Sequence, residues 1–344
     1  MSTSQQSESA ELTTDRFDEL VDRDQLPDFI IGGAMKSGTS SLRNVLREHP
    51  DIFIPPHEIH FFNVDEVDQE GEHFIHLKDG WVDHDWEADF EEYLAWYRTQ
   101  FSDAREDQVI GEDTTTYLPS RKAPERIARL LPDVKLIFSL RDPVDRTYSH
   151  YWHRVRTGRE VHDFETALEK NTAGLFRRSF YRESLERYLE HFDRDQIRVV
   201  LFEEYIESPQ RVIDELCEFI GVEAIIDVEQ TRSHSNRSTL PLHPNIRRAA
   251  NWLRQWTPSM WFADHLPKMP GGAPQCYRHM RSHEIAAHVL AAGVDRILEW
   301  LPRVGYPPIE ADTRVFLENV FIRENVDLSD LIGRDLASHW SGPW

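Results

Sequence analysis

The chain has 344 residues, 40% of them hydrophobic, and a formal net charge of −22 from 61 acidic and 39 basic side chains. That is apolar material for one large core, which excludes a disordered chain. No apolar run approaches the ~20 residues that span a bilayer, and the polar, acidic start lacks a secretory leader pattern. The expected location is cytoplasmic, and the acidic field argues against nucleic acid as a partner.

Residues 1–25 read as an acidic, solvated tail, and residues 26–344 as a single domain. Its first strand runs from Asp28 to Gly32 and enters Gly-Ala-Met-Lys-Ser-Gly-Thr-Ser-Ser, where a helix starts near Gly38. Gly33 and Gly38 have the spacing of the phosphate loop G-x-x-x-x-G-K-[ST], but Thr39 stands where that loop has lysine. Lys36 lies instead on the tip of the turn, placed to reach an anion held over the backbone N–H groups of Ser37, Gly38, Thr39, Ser40 and Ser41. One cation, several amides and no evident metal seat describe such a site. Plain strand-to-helix punctuation is the alternative use of Gly-Gly here.

An acidic stretch follows from Val64 to Glu92, with His73, His76, His84, Trp81 and Trp86. It reads as a solvated insertion without a compact metal-ligand pattern, in which either tryptophan could stack on a sugar. Further strands are expected at Val109–Glu112, Val134–Leu140 and Ile197–Phe202. Helical patterns fall at Gly38–Glu48, Phe90–Phe101, Pro124–Leu131, Pro143–Arg156, Ser179–Phe192 and Pro209–Ile220. This alternation predicts an α/β, P-loop-like fold of three layers, with a mainly parallel sheet flanked by helices on both faces. Ligands of such sheets bind beyond the carboxyl ends of the strands, so the segments after Gly32, Glu112 and Leu140 should converge.

After the third of these strands comes Ser139-Leu-Arg-Asp-Pro-Val-Asp-Arg-Thr-Tyr-Ser149. Pro143 suits a first helical turn and Asp142 its N-cap, leaving Arg141 projecting from the strand end. Arg141 and Ser149, two turns on, could grip one anion; a simple ion pair of Arg141 with a neighbouring carboxylate is the alternative.

Between Gln230 and His283 the only acidic residue is Asp264, against eight basic ones that include Arg237, Arg247 and Arg278. In so acidic a chain this reversal predicts an anion-facing surface. Trp252 and Trp256, with Trp261 and Phe262 nearby, read as core packing; a lid or a membrane-surface patch is the alternative. The cysteines, Cys217 and Cys276, have no metal-quartet spacing and are not expected to form a disulfide. Lysine is scarce (six residues), and an acidic surplus of this size self-repels unless salt shortens the screening length to ~3 Å near molar strength. A halophilic source is expected.

The Lys-Ser-Gly-Thr-Ser turn and the later Arg-Asp-Pro strand end with its Tyr-Ser helix together resemble the sulfotransferases that use 3′-phosphoadenosine 5′-phosphosulfate. Glu58-Ile-His-Phe-Phe-Asn63, Gly111-Glu-Asp-Thr-Thr-Thr-Tyr-Leu118 and the segment from Tyr181 are similar to the heparan-type branch. The ending Leu331-Ile-Gly-Arg-Asp-Leu-Ala-Ser-His-Trp340 resembles prokaryotic members, so the likeness runs from Asp28 to Trp340. It implies that Lys36 to Ser41 hold the 5′-phosphosulfate and that Arg141 and Ser149 hold the 3′-phosphate. Tyr181 and a basic residue of the later stretch, first Arg237 and then Arg278, join the nucleotide site. The resemblance also implies Glu58 as general base, with His60 and His57 as competitors, and His153 as a helper near the reaction centre. A sulfuryl group carries less negative charge than a phosphoryl group, so Lys36 and amides suffice at the leaving oxygen without a metal.

The implied acceptor is a hydroxyl, or less readily an amine, of a glycan, glycolipid or lipid-linked glycan, with no transmembrane segment needed. One departure stands out: heparan-type enzymes have Glu-Lys-Ser where this chain has Glu112-Asp113-Thr114, so a cation is missing from the cleft. Either an arginine or histidine from elsewhere replaces it or the acceptor differs, and Asp113 reads as a turn cap. The alternative functions are a kinase or nucleotide hydrolase on a P-loop scaffold, disfavoured by Thr39, and a non-catalytic nucleotide-binding protein.

Overall fold

The computed structural model describes residues 26–66, 75–77, 80–82, 84–231, 239–241, 244–254, 293, 303–342 and 344. Five strands, β1 (Phe29–Gly33), β2 (Ile52–Phe53), β5 (Val109–Asp113), β6 (Lys135–Leu140) and β7 (Ile197–Leu201), form one sheet in the order β2-β5-β1-β6-β7. Every pairing in it is parallel, with Phe29 opposite both Gly111 and Lys135 and Leu136 opposite Ile197. Two short antiparallel pairs, β3 (Ile75–Leu77) with β4 (Gly80–Val82) and β8 (Thr239–Pro241) with β9 (Arg303–Gly305), lie outside it.

Helices cover both faces because successive side chains of a strand point opposite ways. Phe29, Ile31 and Ile137 pack with Leu42, Val45 and Leu46 of α1 (Thr39–Leu46) and with Val212, Ile213 and Leu216 of a helix at Pro209–Ile220. Ile30, Leu136, Phe138 and Leu140 pack on the other face, against α2 (Phe90–Thr99), α3 (Ala123–Leu130) and the helix Tyr181–Leu189. A third cluster joins α4 (Pro143–Arg156) to the helices Phe164–Lys170 and Ala311–Glu324. The three-layer α/β expectation is met.

Some local expectations are corrected. Phe202 starts a helix, Phe202–Glu207, instead of ending β7. β2 is two residues long, too short to leave a periodic signal. At the head of the acidic stretch the carboxylates are engaged, Asp65 paired with Arg126 and Lys122 and buried Glu66 accepting hydrogen bonds from Ser120 and the Arg121 amide, whereas Asp85, Glu87, Asp89, Glu91 and Glu92 at its end are exposed, as a solvated stretch requires. Trp86 is fully buried between Phe61 and Phe90, with Arg126 over its ring, so it is not a sugar platform.

In the Arg-rich stretch, Trp252 is 54% exposed, so core packing fails there. Among the described side chains of its helix, Pro244–Arg254, Arg247 and Asn251 are buried and donate to the Val155, Arg156 and Glu160 carbonyls. Arg247 therefore serves the carbonyl-rich end of α4 and not an anion-facing surface. Arg237, Trp256, Trp261, Phe262, Cys276 and Arg278 lie outside the described residues, and Cys217 is a buried free thiol.

Candidate active site

The turn after β1 brings the expected groups to the mouth of α1. Gly38 takes the left-handed conformation (φ 84°) at the α1 N-cap, where no side chain caps the helix. A Cβ there would lie 2.8 Å from the Phe202 ring, so glycine is required twice over. The Ser37 carbonyl accepts from Ser139 Oγ at 2.6 Å, while the buried Ser37 hydroxyl has no partner in the protein. Thr39 is buried, Ser40 exposed, and the Ser41 hydroxyl is engaged with Tyr205 Oη at 2.9 Å. An uncapped helix start with an orphaned buried hydroxyl beside it fits a phosphate-bearing ligand.

Lys36 itself stands at φ 73°. Burial, helped by the nearby Arg156 and Arg141, lowers its ammonium to about 8, and Glu58 opposes that fall. The lysine thus sits among cations with one carboxylate in reach. Arg141 touches the turn directly, donating to the Lys36 carbonyl at 3.4 Å, and its guanidinium lies 4.9 Å from the Phe202 ring centre. Ser149 is buried on α4 two turns further along.

Tyr181 is fully buried, and its hydroxyl donates to the Arg141 carbonyl at 2.9 Å, so it holds the strand end that carries Arg141. His153 reaches the same place from α4. Burial and the nearby Lys36 and arginines push its pKa down to about 2, so the ring is neutral. Arg156 donates to its Nδ1 at 3.3 Å, which puts the ring proton on Nε2.

Glu58 is held by a device that sequence reasoning missed. Three consecutive threonines after β5 each grip part of the Glu58-Ile-His60 segment. Thr115 Oγ1 donates to both Glu58 oxygens at 3.1 Å. Thr114 Oγ1 accepts from the Ile59 amide at 3.0 Å and donates to Glu112 at 2.8 Å. Thr116 Oγ1 bonds His60 Nδ1 at 3.1 Å, and His60 Nε2 lies 3.5 Å from Glu58. Glu112, fully buried, also accepts from the Tyr97 and Tyr117 hydroxyls at 2.5 and 2.6 Å, anchoring the assembly to the core. The Thr-Thr-Thr run was the visible signal. His57 Nε2, by contrast, bonds Gln100 Oε1 at 3.1 Å.

Next to the position that carries Asp113 in place of a lysine, α1 contributes an arginine. Arg43 pairs with Asp113 at 3.1 Å, and Asp113 is fully buried as the last residue of β5, not a turn cap. Burial and the neighbouring Glu58 push the Asp113 carboxyl well up. Among the described residues, no group of three His, Cys, Asp or Glu side chains is arranged to hold a metal ion.

The profile of the Sulfotransferase family matches residues 27–227. Human heparan sulfate glucosamine 3-O-sulfotransferase 3B1 is 32% identical over 210 residues, 59% of this chain and 48% of that protein. The chain thus spans about half the length of such relatives. Mouse bifunctional heparan sulfate N-deacetylase/N-sulfotransferase 4 is 26% identical over 338 residues, 90% of this chain and 30% of that protein. Among solved structures, a sulfotransferase from Alicyclobacillus acidocaldarius superposes with a TM-score of 0.59 at 25% identity, covering 91% of this chain and 98% of that one.

Proposed function

The chain belongs to the sulfotransferase family, and on that footing we propose that it transfers a sulfuryl group from 3′-phosphoadenosine 5′-phosphosulfate to a hydroxyl, less readily an amine, of a glycan or glycolipid. One observation carries this reading: Lys36 lies within electrostatic reach of Glu58, Arg141 and Arg156 at the uncapped start of α1.

The bound donor supplies a sulfuryl group on a phosphate leaving oxygen, and this chain's residues supply the rest. Glu58, oriented by Thr115, takes the acceptor hydroxyl's proton on a carboxylate oxygen. Lys36 offers its ammonium to the charge that develops on the leaving oxygen opposite. Neutral His153 adds an Nε2–H donor beside it. The amides of Gly38 to Ser41 and the Ser37 hydroxyl hold the 5′-phosphate. Arg141 and Ser149 hold the 3′-phosphate, and Arg237 is assigned to complete that site. No metal is needed, because one cation and several amides match the lower charge of a sulfuryl group.

Glycan acceptors are supported by the heparan sulfate substrates in the names of the relatives. Arg156 at the end of α4 and Arg159 just beyond it, both close enough to depress Lys36, suit an acceptor with its own anionic groups. The test is transfer of labelled sulfate from the donor to a glycan and lipid extract, with EDTA present. Label on a glycan product supports the proposal. Turnover of ATP with magnesium, without the sulfated donor, would replace it with the kinase or hydrolase reading.

A further inference from the structure

We propose that the C-terminal segment 336–342 is a latch that fixes the nucleotide corner, with Trp340 and Ser341 as positioning residues for Arg141. The proposal rests on the reading of Arg141 as a nucleotide ligand. Between β6 and α4 only Arg141 and Asp142 bridge strand to helix, so the backbone of these two residues aims the guanidinium.

That backbone is held by groups brought from nearly two hundred residues further along. One Asp142 carboxylate oxygen caps α4, accepting from the Val144 and Asp145 amides at 2.9 and 3.1 Å. The other accepts the Ser341 amide at 3.0 Å. The Asp142 amide in turn donates to Glu203 Oε1 at 3.0 Å, and the Trp340 indole N–H donates to Glu203 Oε2 at 3.0 Å. Glu203 is therefore a two-sided bridge between the Arg141–Asp142 corner and the latch.

Packing runs the same way. The Trp340 ring is buried against Tyr181, with centroids 5.9 Å apart, and Tyr181 is the residue whose hydroxyl holds the Arg141 carbonyl. Trp344 closes edge-on over Trp340 at 5.1 Å. A second tether pins the segment from outside: Arg334 and His339 both reach Glu204, at 3.2 and 3.4 Å. The neighbour of Glu203, Phe202, lies under both Gly38 and the Arg141 guanidinium, so the latch bears on both halves of the nucleotide site.

The test is the affinity for 3′-phosphoadenosine 5′-phosphate, measured by calorimetry on the full chain. Trp340→Phe keeps an aromatic ring and deletes one donor to the half-buried Glu203 carboxylate. It should weaken nucleotide binding about five- to tenfold, the scale of one ordinary hydrogen bond, and leave the acceptor KM unchanged. Glu203→Gln should cost a similar factor, and the double variant should cost little more than either single one, because both break one bridge. Arg141→Ala serves as the reference. If it weakens binding while Trp340→Phe lowers only the melting temperature, the segment is merely structural and the latch is refuted. If Arg141→Ala leaves affinity unchanged, the nucleotide reading of that residue fails, and the latch with it.

Discussion

Glu58→Gln isolates the proton transfer from binding. Thr115 Oγ1 can still donate to the amide oxygen of glutamine, as it does to both Glu58 oxygens at 3.1 Å, so the side chain should keep its place. What disappears is an oxygen able to take the acceptor's proton. A positioned general base contributes about 10²- to 10⁴-fold, or roughly 3 to 5 kcal/mol at 1.36 kcal/mol per tenfold. His60 Nε2 stands 3.5 Å from Glu58 and can relieve part of that loss, so about 10³-fold in kcat is the expected value. Initial rates of labelled sulfate transfer give kcat, and calorimetry with 3′-phosphoadenosine 5′-phosphate should show affinity within about twofold. Since Glu58 holds the Lys36 ammonium up, the variant's alkaline limb should also move below that of the native enzyme. Transfer within about threefold of the native rate, or a loss explained by weaker nucleotide binding, would refute Glu58 as the base.

Four further outcomes are expected. The Lys36 ammonium, lowered to about 8 by burial and the nearby Arg156 and Arg141, is charged below that pH, so kcat/KM for the donor should hold steady below it and decline above it; a flat profile to pH 10 would remove Lys36 from the chemistry. Arg43→Ala strands the fully buried Asp113, whose Oδ1 already has no partner, and should cost about 2 to 3 kcal/mol in urea unfolding, with Arg43→Met and Asp113→Leu together recovering most of it. Gly38→Ala forces a Cβ into a φ of 84° and to 2.8 Å from Phe202, costing about 1 to 2 kcal/mol in backbone alone and weakening nucleotide binding about tenfold in calorimetry. The unfolding midpoint should rise steeply between 0.1 and 2 M KCl as the charge of −22 is screened, and an unchanged midpoint would dismiss a halophilic source.

Much of the frame was legible because its signals are local. Alternating apolar strands, Gly38 at the start of α1, and Asp142 with Pro143 at the start of α4 all act within one turn, and the capping bonds appear at 2.9 and 3.1 Å. Less legible was anything whose cause lies far along the chain. Trp252 turned outward because Arg247 and Asn251 answer carbonyls of α4 some ninety residues earlier. Trp86 was claimed by the Phe61 cluster, and Asp113 reads as a turn cap only until Arg43, seventy residues away, is placed beside it.

By itself the sequence determined an α/β chain, pointed to the turn at Lys36 and the strand end at Arg141 as its candidate anion-binding segments, and carried the family likeness. Those are short-range facts, set by spacing and backbone chemistry within a few residues. Only the tertiary structure decided that three threonines hold Glu58, that Arg43 offsets Asp113, that His153 stays neutral beside Lys36, and that Trp340 reaches back to the Arg141 corner. Each of these depends on burial and on partners brought together by the packing of helices on the sheet, and the energy of a charge or a hydrogen bond is set by such surroundings rather than by its neighbours in sequence.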